Sequence, residues 1–307
     1  MSLKCLGTAA FALWVIVAPG CSIRKFAINK LGDAFSETGS TFASDDDPDL
    51  IKDAAPFSLK LIESLLAETP HHSGLLLAAA SGFTQYAYAF VQQDADELEA
   101  RDLAAATALR DRARRLYLRA RDYGLRGLDA AHPGLSAALR ANPKRAAQIA
   151  RKGDVAALYW TAASWAGAIA LSKDKPELVA DLPRVEAMMD RALELDGRFG
   201  EGAIHSFLIT YEMSRQGKAG DPTTRSRQHF ERAWELSRGQ QAAPLVALAE
   251  AVTVQKQDVK EFESLLNRAL AIDADAHSAS RLINQVMQRR ARWLLSRKEE
   301  LFLIPAP

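Results

Sequence analysis

Apolar residues return every three or four positions through most of this chain, the period of helices that bury one side. In ASDDDPDLIKDAAPFSLKLIESLLAE, residues Leu50, Ile51, Ala54, Leu61, Ile62, Leu65 and Leu66 share a face. Its start is marked by Asp47 as cap and Pro48 at the first helical position. Asp45, Asp46 and Asp47 read as this helix-starting cluster, because the Gly and distant Glu of an EF-hand loop are missing. Nearer the front, SIRKFAINKLGDAF sets Ile23, Phe26, Ala27, Leu31, Ala34 and Phe35 on another short stripe. LLLAAASGFTQYAYAFV carries no charge, yet Ser81, Thr84 and Gln85 interrupt it. That pattern suits a helix buried between neighbours better than a membrane span.

A faint repeat runs through the later part of the chain. Tetratricopeptide units are helix pairs of about 34 residues, and small, bulky and small residues along the second helix let the pairs approach closely. Ala113, Tyr117 and Ala120 fit that spacing, as do Val185, Met189 and Ala192, then Ser226, Phe230 and Ala233, then Phe262, Leu266 and Ala269. A Pro/Gly-rich insertion, HPGLSAALRANPKRAAQIARKGD, lengthens the first interval. The matching first helices fall at Leu75 to Gln93, Asp154 to Ser172, Glu201 to Gln216 and Pro244 to Gln257, and a segment from Ala276 to Lys298 caps the array. The usual closing proline is absent, and a plain amphipathic bundle would give part of this periodicity. The fold class expected is all-α, a tetratricopeptide-like array of about four helix pairs with N-terminal helices and a C-terminal capping helix.

The front of the chain has a different character. After Lys4, CLGTAAFALWVIVA is apolar but shorter than the roughly 20 residues a spanning helix needs, and it suits a secretory signal. Cys21 follows Gly20 where a bacterial lipoprotein carries its lipid, so VAPGC resembles a lipobox, with Ala18 and Pro19 atypical for one. Ordinary cleavage and an uncleaved anchor are the alternatives. The layout expected is a signal over residues 1–20, a lipidated N-terminus and helices over 21–72, a repeat domain with its cap over 73–300, and a tail over 301–307.

Composition narrows the chemistry. Among 307 residues, 39 Lys and Arg face 38 Asp and Glu, and removal of Lys4 with the signal would leave them equal, so net charge gives no case for nucleic acid. With two cysteines, one in the signal and one at the lipid position, the mature chain would hold no thiol for a disulfide, a nucleophile or a metal. GxSxG, Walker and HExxH signatures are absent, and His71 with His72 lacks a third ligand nearby, so neither an enzyme, a cofactor nor a metal site is expected. His205 beside Glu201 is the pairing singled out for inspection.

GSTFASDDDPDL, GFTQYAYAFVQQDAD, RARRLYLRARDYGLRGL and LYWTAASWAGAI resemble the TRAP-transporter-associated tetratricopeptide lipoprotein family, the TatT component, over nearly the whole mature chain. The resemblance implies a helical lipoprotein that faces the periplasm and associates with the solute-binding protein of a tripartite ATP-independent periplasmic (TRAP) transporter. It further implies a homotrimer and a pocket or pore through the repeat fold. Ser22 after the lipid position is compatible with sorting to the outer membrane. A structural scaffold lipoprotein for envelope protein assembly is the alternative.

First helices line the inner surface of such arrays, so Phe83, Tyr86 and Phe90 on the first, Tyr159, Trp160 and Trp165 on the second, and Tyr211 on the third are candidates to line a site for a small hydrophobic ligand. The same aromatics at helical spacing suit a core. Arg115 and Arg119, four apart in RRLYLRARDYGLR, are candidates to hold a carboxylate, unless Asp111 and Asp122 neutralise them along the helix.

Overall fold

The computed structural model describes residues 39–303, and the described residues hold helices and turns with no strand. Cys21 and the Ile23 to Phe35 stripe lie outside them. A short helix at Gly39–Ala43 leads into α1, Pro48–Glu68, whose cap forms as its residues predict: the Asp47 carboxylate accepts the backbone N–H groups of Asp49 and Leu50 at 3.0 and 2.9 Å. The buried side of α1 is rotated from the expected stripe. Ile51, Ala55, Leu59, Ile62, Leu65 and Leu66 are buried, whereas Leu50 and Phe57 stand in solvent, 57% and 73% exposed. Leu50 sits one position from the 3.6-residue period that Ile51, Ala55, Ile62 and Leu66 keep.

Helix pairs follow. α2 (Ser73–Leu98) and α3 (Leu103–Ala131) form the first, α4 (Val155–Ala170) and α5 (Leu182–Asp196) the second. α6 (Ala203–Glu212) and α7 (Pro222–Leu236) form the third, α8 (243–256) and α9 (Val259–Leu270) the fourth, with α10 (Arg281–Ser296) last. The Pro/Gly-rich insertion folds as two short helices, Leu135–Ala141 and Pro143–Ala147, whose leucines and alanines complete the core between α3, α4 and α5. α2 is long and apolar enough to cross a membrane, but it packs on α1, α3 and α4, and its composition answers to those neighbours.

Every residue of the four small–bulky–small triplets is buried. Close packing at one of these seams is steric. A Cβ on Gly124 would come within 2.1 Å of Thr161 Oγ1 and 3.2 Å of its Cα, so α3 and α4 touch almost backbone to backbone. Three successive cores result: one among α1, α2 and α3 with Ala168 of α4, one from α3 to α6, and one from α6 to Phe302.

The end of the array returns to its beginning. Val286 of α10 joins the first core, Tyr88 Oη donates to Met287 Sδ at 3.6 Å, and Arg281 and Gln285 donate to the carbonyls of Ser44 and Asp46. An acidic run at the end of α2 receives α10's cations: Arg289 pairs with Asp94 at 2.9 Å and Glu97 at 2.6 Å. Arg290, 8% exposed, bridges Asp96 at 2.6 Å and Glu250. Glu250 lies within a π-helical turn of α8, Ala249–Thr253, and Asp96 stands about one turn beyond another in α2, Ala87–Gln92. Burial of Arg290 works against its charge, but Glu250, Asp96 and Tyr88 outweigh that and hold its pKa above the usual arginine value.

Candidate functional site

A cleft of about 380 Å³ opens to solvent along α3, lined by Arg115, Leu118, Arg119, Asp122, Tyr123 and Arg126. α3 can expose these groups because its opposite side is committed to the seam through Ala113, Tyr117, Ala120 and Gly124. At about 100° per residue, Arg112, Arg115, Arg119 and Arg126 fall within roughly 60° of one another, a single outward ridge.

The cleft has an aromatic back wall. Tyr123 stacks on Phe83 with centroids 6.1 Å apart and planes 9° from parallel. Arg119 lies over the Phe83 ring at 5.4 Å and Arg126 over Tyr123 at 5.2 Å, which holds flexible cations in place through ring quadrupoles. Arg126 also donates to the Pro70 carbonyl at 3.0 Å, and Arg112 to Tyr86 Oη at 3.4 Å.

One carboxylate from α1 reaches the site. Glu63 accepts from Tyr123 Oη at 2.8 Å and Lys60 at 2.5 Å, while Arg119 Nε stands 3.6 Å away. Partial burial tends to raise the Glu63 pKa, but the hydrogen bonds from Lys60 and Tyr123 and the Arg119 charge prevail and leave it lowered. Burial first, then the bond to Glu63, pushes the Tyr123 phenol up to about 12. The groups expected to neutralise the ridge serve elsewhere: Asp111 pairs with Arg114 at 3.0 Å and Asp122 with Arg121 at 2.7 Å. Among the described residues, Arg112, Arg115 and Arg126 have no carboxylate partner, and Arg119 shares Glu63.

The seven aromatic candidates are not gathered in one place. Phe83, Tyr86 and Phe90 are buried in the first core, with Tyr86 and Phe90 centroids 5.8 Å apart. Trp165 is buried in the second core between Arg121 and Arg184 at 5.0 and 5.7 Å, and its indole N–H has no acceptor among the described residues. Tyr159 and Trp160, both partly buried, meet edge to face at 4.9 Å, and Phe199 lies 5.3 Å from Tyr159. Burial pushes the Tyr159 phenol up to about 12. Tyr211 stacks on Phe207 and donates to Glu186 at 2.9 Å.

His205 meets His229 instead of Glu201, Nδ1 to Nδ1 at 2.9 Å. Burial and the neighbouring His229 charge hold its pKa down at about 4. Glu201 turns to Gln241 at 3.0 Å and His277 at 3.4 Å. His72 caps α2, with Nδ1 accepting the Leu75 N–H at 3.2 Å. Among the described residues no group of three or more His, Cys, Asp or Glu is placed to hold a metal ion.

A second open cleft, about 500 Å³, lies where α10 meets the end of α2, around Trp293, Arg292 and Arg101. Glu63, Tyr123 and Arg126 were not selected from the sequence. The recurrence of Arg126 at the ridge period was a usable signal, whereas Glu63 arrives from another helix and carried none.

A protein of Treponema pallidum (strain Nichols), described as uncharacterized, is 28% identical over 312 residues, covering 96% of each chain. The pattern of the family described as TRAP transporter T-component matches residues 44–302, which span almost all of the described helices. The chain therefore belongs to the TRAP transporter T-component family.

Proposed function

We propose that this protein is an accessory lipoprotein of a TRAP transport system, tethered through Cys21 to a periplasm-facing leaflet, and that it docks the solute-binding protein. The family match over residues 44–302 carries this reading. The helical array supports it physically, since stacked pairs offer long continuous surfaces to protein partners. The lipid would keep the array at the membrane, where several acyl chains hold stably and a single one does not.

The cleft on α3 adds carboxylate recognition to this reading, because guanidinium forks match carboxylates in shape and charge. Arg115 and Arg119 supply it together with Arg126, and the Phe83–Tyr123 stack supplies an apolar flank. The buried aromatics support the walls of the array, while Tyr159, Trp160 and Tyr211 keep partial solvent contact and remain the candidates for an apolar ligand.

Co-purification tests the reading directly. Protein solubilised from membranes is expected to retain the solute-binding protein encoded with its transporter and to take up labelled palmitate at Cys21. Recovery with envelope-assembly factors alone would assign it a scaffold role instead, and a Cys21→Ala chain that still partitions into detergent would remove the tether.

A further inference from the structure

We infer that the arginine ridge of α3 is the surface on which the partner protein docks, and that the partner meets it with an acidic, carboxylate-bearing face. This rests on the docking role proposed above and adds its location and chemistry.

Three observations converge on this assignment. First, the ridge sets several guanidinium groups without a carboxylate partner on one face of one helix, in a chain whose formal charges nearly cancel. Arg110, Arg114, Arg121, Arg289 and Arg290 all pair with carboxylates, whereas Arg112, Arg115 and Arg126 have none among the described residues. Second, its shape suits a macromolecule. Arg112 to Arg126 extends over about 21 Å at 1.5 Å per residue, and the cleft beside it is open, so a small anion would touch only part of it. Third, the ridge is pre-organised: Arg112, Arg119 and Arg126 rest on the rings of Tyr86, Phe83 and Tyr123, which lowers the ordering cost of using them in an interface.

A membrane surface fits less well. Asp122 and Glu63 interrupt the cations, whereas a lipid surface favours a continuous basic face. Glu63 has a specific part. Its carboxylate already draws on Arg119, so an incoming carboxylate competes with it for that guanidinium.

Binding kinetics of the full mature protein with the transporter's purified solute-binding protein test this. Wild type is compared with R115E/R119E/R126E, with the milder R115Q/R119Q/R126Q, with E63Q, and with R140E/K144E/R145E, which reverses three exposed cations elsewhere. The ridge reversal is expected to slow association at least 10-fold at low ionic strength and to flatten its salt dependence. The glutamine variant should slow it about 3-fold or more, E63Q should speed it about 2-fold or more, and the control reversal should change it less than 3-fold. Unchanged association of both ridge variants, or an equal loss in the control, would overturn the ridge assignment while leaving the docking role standing. A wild-type protein that does not bind the solute-binding protein would overturn both. Loss of binding to vesicles of 30% phosphatidylglycerol, with partner association intact, would make the ridge a membrane contact and overturn the assignment.

Discussion

Two groups of arginines in this protein have opposite fates. On α10, Arg289 and Arg290 meet Asp94, Asp96, Glu97 and Glu250, and the end of the array is clasped to its beginning. On α3, Arg112, Arg115 and Arg126 face outward with no carboxylate partner among the described residues, Arg112 and Arg126 with rings beneath them. The residue type is the same; what differs is whether the folded chain supplies the counter-charge. Where it does, the arginine serves the fold. Where it does not, the guanidinium stays open to solvent, which is what the proposed docking surface requires.

The contrast predicts stability effects of very different size. Arg290→Ala leaves Asp96 and Glu250 without their buried partner and should cost about 3 kcal/mol, the range for breaking a buried pair. Denaturant unfolding would measure it, with Arg115→Ala beside it expected to stay within about 0.5 kcal/mol as an exposed substitution. The clasp account fails if the two variants unfold alike.

The inner face of α3 sharpens the comparison within one helix. Gly124→Ala forces a Cβ into Thr161 and should cost about 2 kcal/mol through overpacking of the α3–α4 seam, measurable as a lowered Tm. Substitution of Arg119 by Gln, one turn away on the outer face, should lower stability by no more than about 0.5 kcal/mol.

Acidification distinguishes the paired groups from the ridge more gently. His205 has its folded pKa depressed from 6.5 to about 4, so the unfolded chain takes a proton that the folded chain refuses between those values. Stability should therefore fall as pH drops from about 6.5 toward 4, by about 1–2 kcal/mol once partial solvent contact is allowed for. His205→Gln should flatten that part of the Tm profile. Glu99 and Glu212 are also lowered. The hydrogen bond from Arg110 dominates at Glu99; at Glu212 burial opposes ionisation, but the bonds from Arg225 and Arg215 overcome it. Their contributions stand above the unfolded carboxylate value near 4.5 and are lost below it, so a second decline should begin there.

Much of the fold was legible in sequence because helix seams are local. The spacing of Ala113, Tyr117 and Ala120 is fixed by 3.6 residues per turn, and the Asp47–Pro48 start by which backbone N–H groups a first turn leaves unpaired. Leu50 shows the limit: adjacent apolar positions at a helix start do not reveal which of them faces the core. The clasp was out of reach, since Arg290 and Asp96 are brought together only by closure of the whole array. The candidate site was legible in half. Arg115 and Arg119 could be picked from their spacing, but whether Asp111 neutralises Arg115 depends on rotamers, and the structure sends Asp111 to Arg114. The partner of His205 was hidden for a different reason, as His229 arrives on α7 from beyond any local window around His205.

Arginine footprinting with phenylglyoxal, read by mass spectrometry with and without the solute-binding protein, tests the central claim most directly. The account predicts that Arg112, Arg115 and Arg126 react readily in the free protein and are protected in the complex, while Arg289 and Arg290 react slowly in both. Protection elsewhere with Arg112, Arg115 and Arg126 still reactive in the complex would contradict it.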